Sequence, residues 1–144
     1  MNRHAAAVAT FKEGYSCSQA ILVAYAEDLG LPRATALRIA SGFGAGMGRL
    51  AETCGAVTGA VMVLGLKHGG TAADDRDAKE KTYQRVQDFV RRFQARCGSA
   101  TCRHLLGCDI STPAGLQQAQ DQGLTVTLCP QFVHAAAEVL EELL

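Results

Sequence analysis

Between Arg49 and Leu66 the chain carries a polar turn, a cysteine at position 54, and then an apolar run in which small residues recur: Gly55, Ala56, Gly59 and Ala60. Gly55 and Gly59 are four apart, which in a helix stacks them on one face with no side chain between backbone and neighbour. Such a face admits a second helix unusually closely, so the rest of the chain has to arrange itself around this one. The apolar run from Ala56 to Leu66 is about half the ~20 residues that a membrane-spanning helix needs. It is read as a central buried helix, with Cys54 at its positive end.

The segments on either side read as helical nearly throughout. Ala5 to Lys12 is a short Ala-rich helix closed by Gly14. Ser16-Cys17-Ser18-Gln19 is a capping box that opens the next, with Ala20, Ile21, Ala24, Tyr25 and Leu29 as its apolar stripe. Pro32 starts a third helix, with Leu37, Ile39 and Ala40 on the buried side. After the central helix, a long one runs to about Cys97 with Tyr83, Val86, Val90, Phe93 and Cys97 on one stripe and Phe89 widening it. Gly98 stops it. Thr101 to Leu106 is a short helix stopped by Gly107, and Thr112-Pro113 caps another that runs to about Gln122. Leu124 to Leu128 alternates with threonines and reads as extended. Cys129-Pro130 opens the last helix, whose apolar face is Phe132, Val133, Ala136, Val139, Leu140 and Leu143. The expected fold is all-α, a compact bundle of five to seven helices forming one domain over residues 1–144.

A chain of 144 residues, 48% hydrophobic and 19% charged, can bury a core without disulfide staples. Its formal net charge of zero gives no basic surface for nucleic acid. The N-terminal residues lack the apolar core of a secretory signal before Lys12 and Glu13. A cytoplasmic protein with no membrane insertion is expected. Gly42, Gly44, Gly46 and Gly48 raise the question of a phosphate loop. No strand is expected before them and no Gly-Lys-Ser/Thr follows, so neither a dinucleotide turn nor a P-loop is supported. The loop is read as a tight connection that lets backbone pass close to Cys54.

The chemistry rests on six cysteines, 17, 54, 97, 102, 108 and 129, with no Cys-x-x-Cys among them. In a reducing compartment such an excess points to metal ligation or redox chemistry. Cys97 lies on an apolar stripe and reads as a small buried hydrophobe; Cys108 lies six residues after Cys102 and reads as incidental in preference to a resolving thiol. The other four each fall at an expected helix start, where unpaired N–H groups and the helix dipole favour the thiolate. Cys17, Cys54, Cys102 and Cys129 are therefore expected to have lowered pKa values and to alkylate faster than Cys97. Glu52 is the nearby candidate acid or base, to be paired with Arg49 if it faces Cys54. His104 is two residues from Cys102 and points elsewhere; His68 reads as a cation capping helix carbonyls; His134 faces either the site or solvent.

Gly14-Tyr-Ser-Cys17-Ser-Gln-Ala, the Gly42–Gly48 loop, Glu52-Thr-Cys54-Gly-Ala-Val-Thr-Gly59, Cys102-Arg-His-Leu-Leu-Gly107 and Cys129-Pro-Gln-Phe-Val together resemble the C_GCAxxG_C_C family of proteins described as redox-active. The resemblance covers nearly the whole chain, and the family motif stands as Cys54-Gly55-Ala56-x-x-Gly59. It implies four characteristic cysteines matching Cys17, Cys54, Cys102 and Cys129, and it makes iron–sulfur cluster binding plausible by analogy.

Two function classes stay open. In the first, the four thiols are redox groups, holding an iron–sulfur cluster or cycling between dithiol and disulfide with no cofactor, with Gly55 and Gly59 lining the cofactor site. In the second, the same four hold zinc or another metal in a structural module. Partners are an unidentified electron donor or acceptor, and self-association as a homodimer stays open. A single centre requires the four sulfurs to lie within about 4–7 Å of one another. Cys17 with Cys54 is the favoured pair, since both sit near the Gly-rich turn.

Overall fold

The computed structural model describes residues 2–144. Among them there are eight helices of five residues or more: α1 Arg3–Lys12, α2 Cys17–Ala26, α3 Arg33–Ala40, α4 Gly55–His68, α5 Arg76–Cys97, α6 Cys102–Leu106, α7 Pro113–Asp121 and α8 Cys129–Leu143. That is one more than the upper expectation. The all-α class stands, and no helix among the described residues is long and apolar enough to cross a membrane.

Capping explains why the helices begin where they do. Ser16 N–H donates to Gln19 Oε1 at 3.0 Å while Ser16 Oγ accepts from Gln19 N–H at 3.4 Å, the reciprocal box expected from the sequence. Gln19 Nε2 also donates to the Leu37 carbonyl at 2.9 Å, and the buried Ser18 Oγ to that of Ala40 at 2.8 Å. The first turn of α2 is thus fixed against α3. Asp75 caps α5 and Thr112 caps α7, each accepting a backbone N–H three residues on.

The main core is α2 packed on α4, with α8 laid across both and also against α1 and α5. Gly59 makes the α2–α4 contact possible: a Cβ there would stand 2.8 Å from the Ser18 carbonyl oxygen and 3.1 Å from Ile21 Cβ. On α5, Phe89 and Phe93 are fully buried and stack at 6.0 Å. A smaller cluster of Ala51, Cys102, Leu106, Ile110 and Ala119 lies under α6 and α7, and Leu128 and Cys129 pack against both clusters.

Three local expectations are corrected. Residues Leu124–Thr127 form a helical turn that runs into α8, not an extended segment; the αL residue Gly123 starts it, and the Leu128 N–H donates to the Leu124 carbonyl. The buried face of α3 is Ala36 and Ala40, the side tied to α2 by the Ser18 hydrogen bond to the Ala40 carbonyl, leaving Ile39 half exposed. Tyr83 lies on the wet side of α5: the core contacts of that helix begin a turn later.

Candidate functional site

Four segments bring a sulfur to one place. Cys17 is the first residue of α2, Cys54 the N-cap of α4, Cys102 the first residue of α6 and Cys129 the first of α8. All four line a single cavity of about 190 Å³, at the seam between the main core and the smaller cluster.

Backbone pairing places Cys54 and Cys102. Thr53 and Thr101 form an isolated antiparallel bridge, with Cys54 N–H donating to the Ala100 carbonyl at 2.8 Å and Cys102 N–H to that of Glu52 at 2.6 Å. Side chains alternate along such a pair, so Cys54 and Cys102 fall on the face opposite the two threonines, as diagonal neighbours. The two Thr-Cys dipeptides in the sequence were the visible trace of this pairing.

The glycine-rich segment supplies another wall. Ala45 and Gly46 have left-handed dihedrals (φ 56, ψ 42 and φ 68, ψ 42), and Met47, Gly48, Arg49 and Ala51 also have positive φ. The chain here makes a left-handed turn, with Glu52 N–H donating to the Gly46 carbonyl at 2.9 Å. For a residue with a Cβ this conformation costs roughly 1–2 kcal/mol, and Ala45, Met47, Arg49 and Ala51 all carry it. Arg103 helps hold it: its Nε donates to the Ala51 carbonyl (3.1 Å) and its Nη2 to the Leu50 carbonyl (3.2 Å) and Glu52 Oε1 (2.8 Å). Arg103 was not legible as a site residue. Gly46 is confined further, since a Cβ on it would lie 2.7 Å from Ala51 Cα. As expected for a lining, Ala45 and Gly46 face the cavity.

The electrostatics reverse the expectation for three of the four thiols. Cys17, Cys54 and Cys102 are only 9%, 5% and 8% exposed. Burial pushes Cys54 up to about 12, against the lowering influence of the nearby Ala56 and Val57 N–H groups, and pushes Cys102 up to about 11. Helix-start N–H groups are present, but desolvation of the thiolate outweighs them. Cys17 is raised well above the ordinary thiol range, chiefly by donating a hydrogen bond to Cys129, then by burial and the neighbouring sulfurs. Cys129, half-buried, is the one thiol of the four that is lowered, and the cause is that same bond from Cys17. Cys17 therefore has both Cys129 and Cys54 as sulfur neighbours, with Cys129 acting the more strongly on its ionisation.

Of the other candidates, Gly55 lines the cavity, with its backbone against Cys17, whereas Gly59 lies a turn further on as a packing residue of the α2–α4 contact. Glu52 turns outward to Arg103, not Arg49, and its side chain is more than half exposed. Cys97 is half-buried against the main core with its pKa raised by burial, and Cys108 is half-buried in the smaller cluster, near enough to Cys102 to oppose its ionisation. His68 lies with Lys67 in the last turn of α4. Burial lowers its pKa, helped by Lys81, Arg85 and Lys67, and its Nε2 is enclosed without a partner among the described residues. His134 bonds Glu138 at 2.8 Å and packs edge-on to His4, away from the cavity.

All six cysteines are free thiols. No three His, Cys, Asp or Glu side chains among the described residues are grouped so as to hold a single metal ion. Residues 15–143 match a family model described as "Putative redox-active protein (C_GCAxxG_C_C)". No curated protein and no solved structure matches the chain significantly.

Proposed function

Since the chain belongs to the C_GCAxxG_C_C family of redox-active proteins, we propose that it transfers electrons through Cys17 and Cys129, with Cys54 and Cys102 completing one sulfur-lined centre. The observation that carries this reading is that Cys17, Cys54, Cys102 and Cys129, from four separate segments, line one cavity, with Cys129 the least buried of the four. The division of labour follows from burial. Cys129 is the more accessible and more acidic sulfur, hence the nucleophile; Cys17, deeply buried and protonated, stabilises the Cys129 thiolate and is positioned to close the disulfide. Oxidation removes two electrons and two protons from the pair and forms one S–S bond. The electrons pass to a two-electron acceptor such as a disulfide.

A second reading is favoured by the donor set. Cys17, Cys54, Cys102 and Cys129 match the four thiolates that iron–sulfur clusters take, and would hold such a cluster, which supplies one-electron transfer. Sulfurs spread around a cavity suit a group of several irons better than one zinc, which gathers its ligands at about 2.3 Å. Ligation would have to remove protons from the buried thiols, so it should strengthen as pH rises.

Protein purified without oxygen, analysed for iron and inorganic sulfide, then oxidised with diamide and mapped by mass spectrometry, separates the readings. The expected result is a Cys17–Cys129 disulfide without stoichiometric iron. Iron and sulfide in stoichiometric amounts would move the conclusion to the cluster, and zinc alone to the structural module. A metal-free protein whose four cavity thiols resist oxidation would end the redox reading.

A further inference from the structure

The cavity beside the thiol pair says what kind of molecule can reach it. Besides the four cysteines it is lined by Phe11, Leu105, Leu106, Ile110 and Phe132, with Ser16 and Thr125 the only hydroxyl side chains among the described residues that line it. No described residue lining it is charged. Arg103, next to Cys102 on α6, directs its guanidinium to Glu52 and to the Leu50 and Ala51 carbonyls. An ion entering such a space gives up water and finds no counter-charge among the lining residues, so it is disfavoured there. At about 190 Å³ the cavity is also smaller than the ~300–1,000 Å³ typical of drug-sized ligands. Peptide thiols that carry several charges do not suit it on either count.

We propose that the substrate of the Cys17–Cys129 pair is a small uncharged disulfide, admitted by this apolar cavity in preference to charged ones; this rests on the dithiol reading. The Cys129 thiolate attacks one sulfur of the small disulfide RSSR, forming a mixed disulfide and releasing RS⁻, which takes up a proton. Cys17 then loses its proton and attacks the Cys129 sulfur, and the second RS⁻ leaves and is protonated. The balance is protein dithiol plus RSSR giving protein disulfide plus two RSH, with two electrons moving from the protein to the small molecule.

The test compares three thiol reagents that share one reactive group: uncharged methyl methanethiosulfonate, its negatively charged sulfonatoethyl analogue and its positively charged trimethylammonioethyl analogue. Each is applied to the full chain, purified without oxygen and reduced, and modification is followed residue by residue by mass spectrometry. Cys97, half-buried outside the cavity, is the internal reference. The uncharged reagent should modify Cys129 at least tenfold faster than either charged one, each rate being taken relative to Cys97. Equal relative rates for the three would overturn the uncharged-substrate inference and leave the dithiol reading standing. Should Cys129 react no faster than Cys97 even with the uncharged reagent, both fall.

Discussion

A thiol at a helix start is pulled two ways, and in this chain burial decides. Cys54 is the N-cap of α4, close to the Ala56 and Val57 N–H groups, yet it is pushed up to about 12 because its thiolate would be almost without water. Cys129 escapes because it is less enclosed and has a donor in Cys17. At neutral pH, timed iodoacetamide labelling of the reduced protein should therefore modify Cys129 well before Cys17, Cys54 or Cys102, and Cys17→Ala should slow Cys129 by removing the stabilising bond. Early labelling of Cys54 would mean that the helix start prevails after all. A second consequence is a pH dependence with a definite sign. Cys17, Cys54 and Cys102 bind their protons more tightly folded than unfolded, so the stability this contributes is complete below the ordinary thiol value of 9.0. It is lost as pH rises through about 11 for Cys102 and about 12 for Cys54. Denaturant melts of the reduced, metal-free protein should show stability falling from about pH 9 upward, by at most about 1.4 kcal/mol per pH unit per thiol. Cys54→Ala should flatten the fall; an unchanged slope would show that Cys54 does not titrate as described.

At the scale of elements, the α2–α4 contact and the left-handed turn are the two arrangements that set the cavity's walls. The first was legible: two glycines four apart predict a close approach, and the neighbour turns out to be the Ser18–Ile21 stretch of α2. Gly59→Leu should force these helices apart and lower stability by roughly 1–3 kcal/mol in denaturant melts, with Gly59→Ala costing less. A tolerated leucine would contradict the packing. The second arrangement was only half legible. Alternating glycines announce a tight loop, but Ala45 and Ala51 give no sign of their left-handed backbone, which is imposed by Arg103 from 52 residues further along and by the pairing of Thr53 with Thr101. Ala45→Gly should relieve one strained residue and raise stability by about 1 kcal/mol; a loss would place more weight on the Ala45 methyl than the cavity wall suggests. The turn at Leu124–Thr127 was misread for a related reason. Alternating threonines look like a strand, but a short segment held between Gly123 and the start of α8 has no partner strand to pair with.

Taken whole, the molecule is two hydrophobic clusters joined at a seam, and the sulfurs occupy the seam. The periodic helices that build the main core could be read from the sequence because each carries its own apolar stripe and caps. The four cysteines could be singled out as a set, since each sits at the start of its helix. Which of them would pair could not be read, because Cys17 and Cys129 reach one cavity only when α8 crosses α2, 112 residues apart in the chain, a crossing that Tyr25 marks by donating to the Ala137 carbonyl at 3.2 Å. The proposed electron transfer therefore depends on one pair of thiols. An equilibrium redox titration in dithiol buffers, with disulfides mapped by mass spectrometry at each potential, measures it directly. The expected result is a single two-electron transition that forms the Cys17–Cys129 disulfide, is abolished by Cys129→Ser and is retained in Cys97→Ser. A transition that maps to Cys97 or Cys108, or one that survives the loss of Cys129, would contradict it.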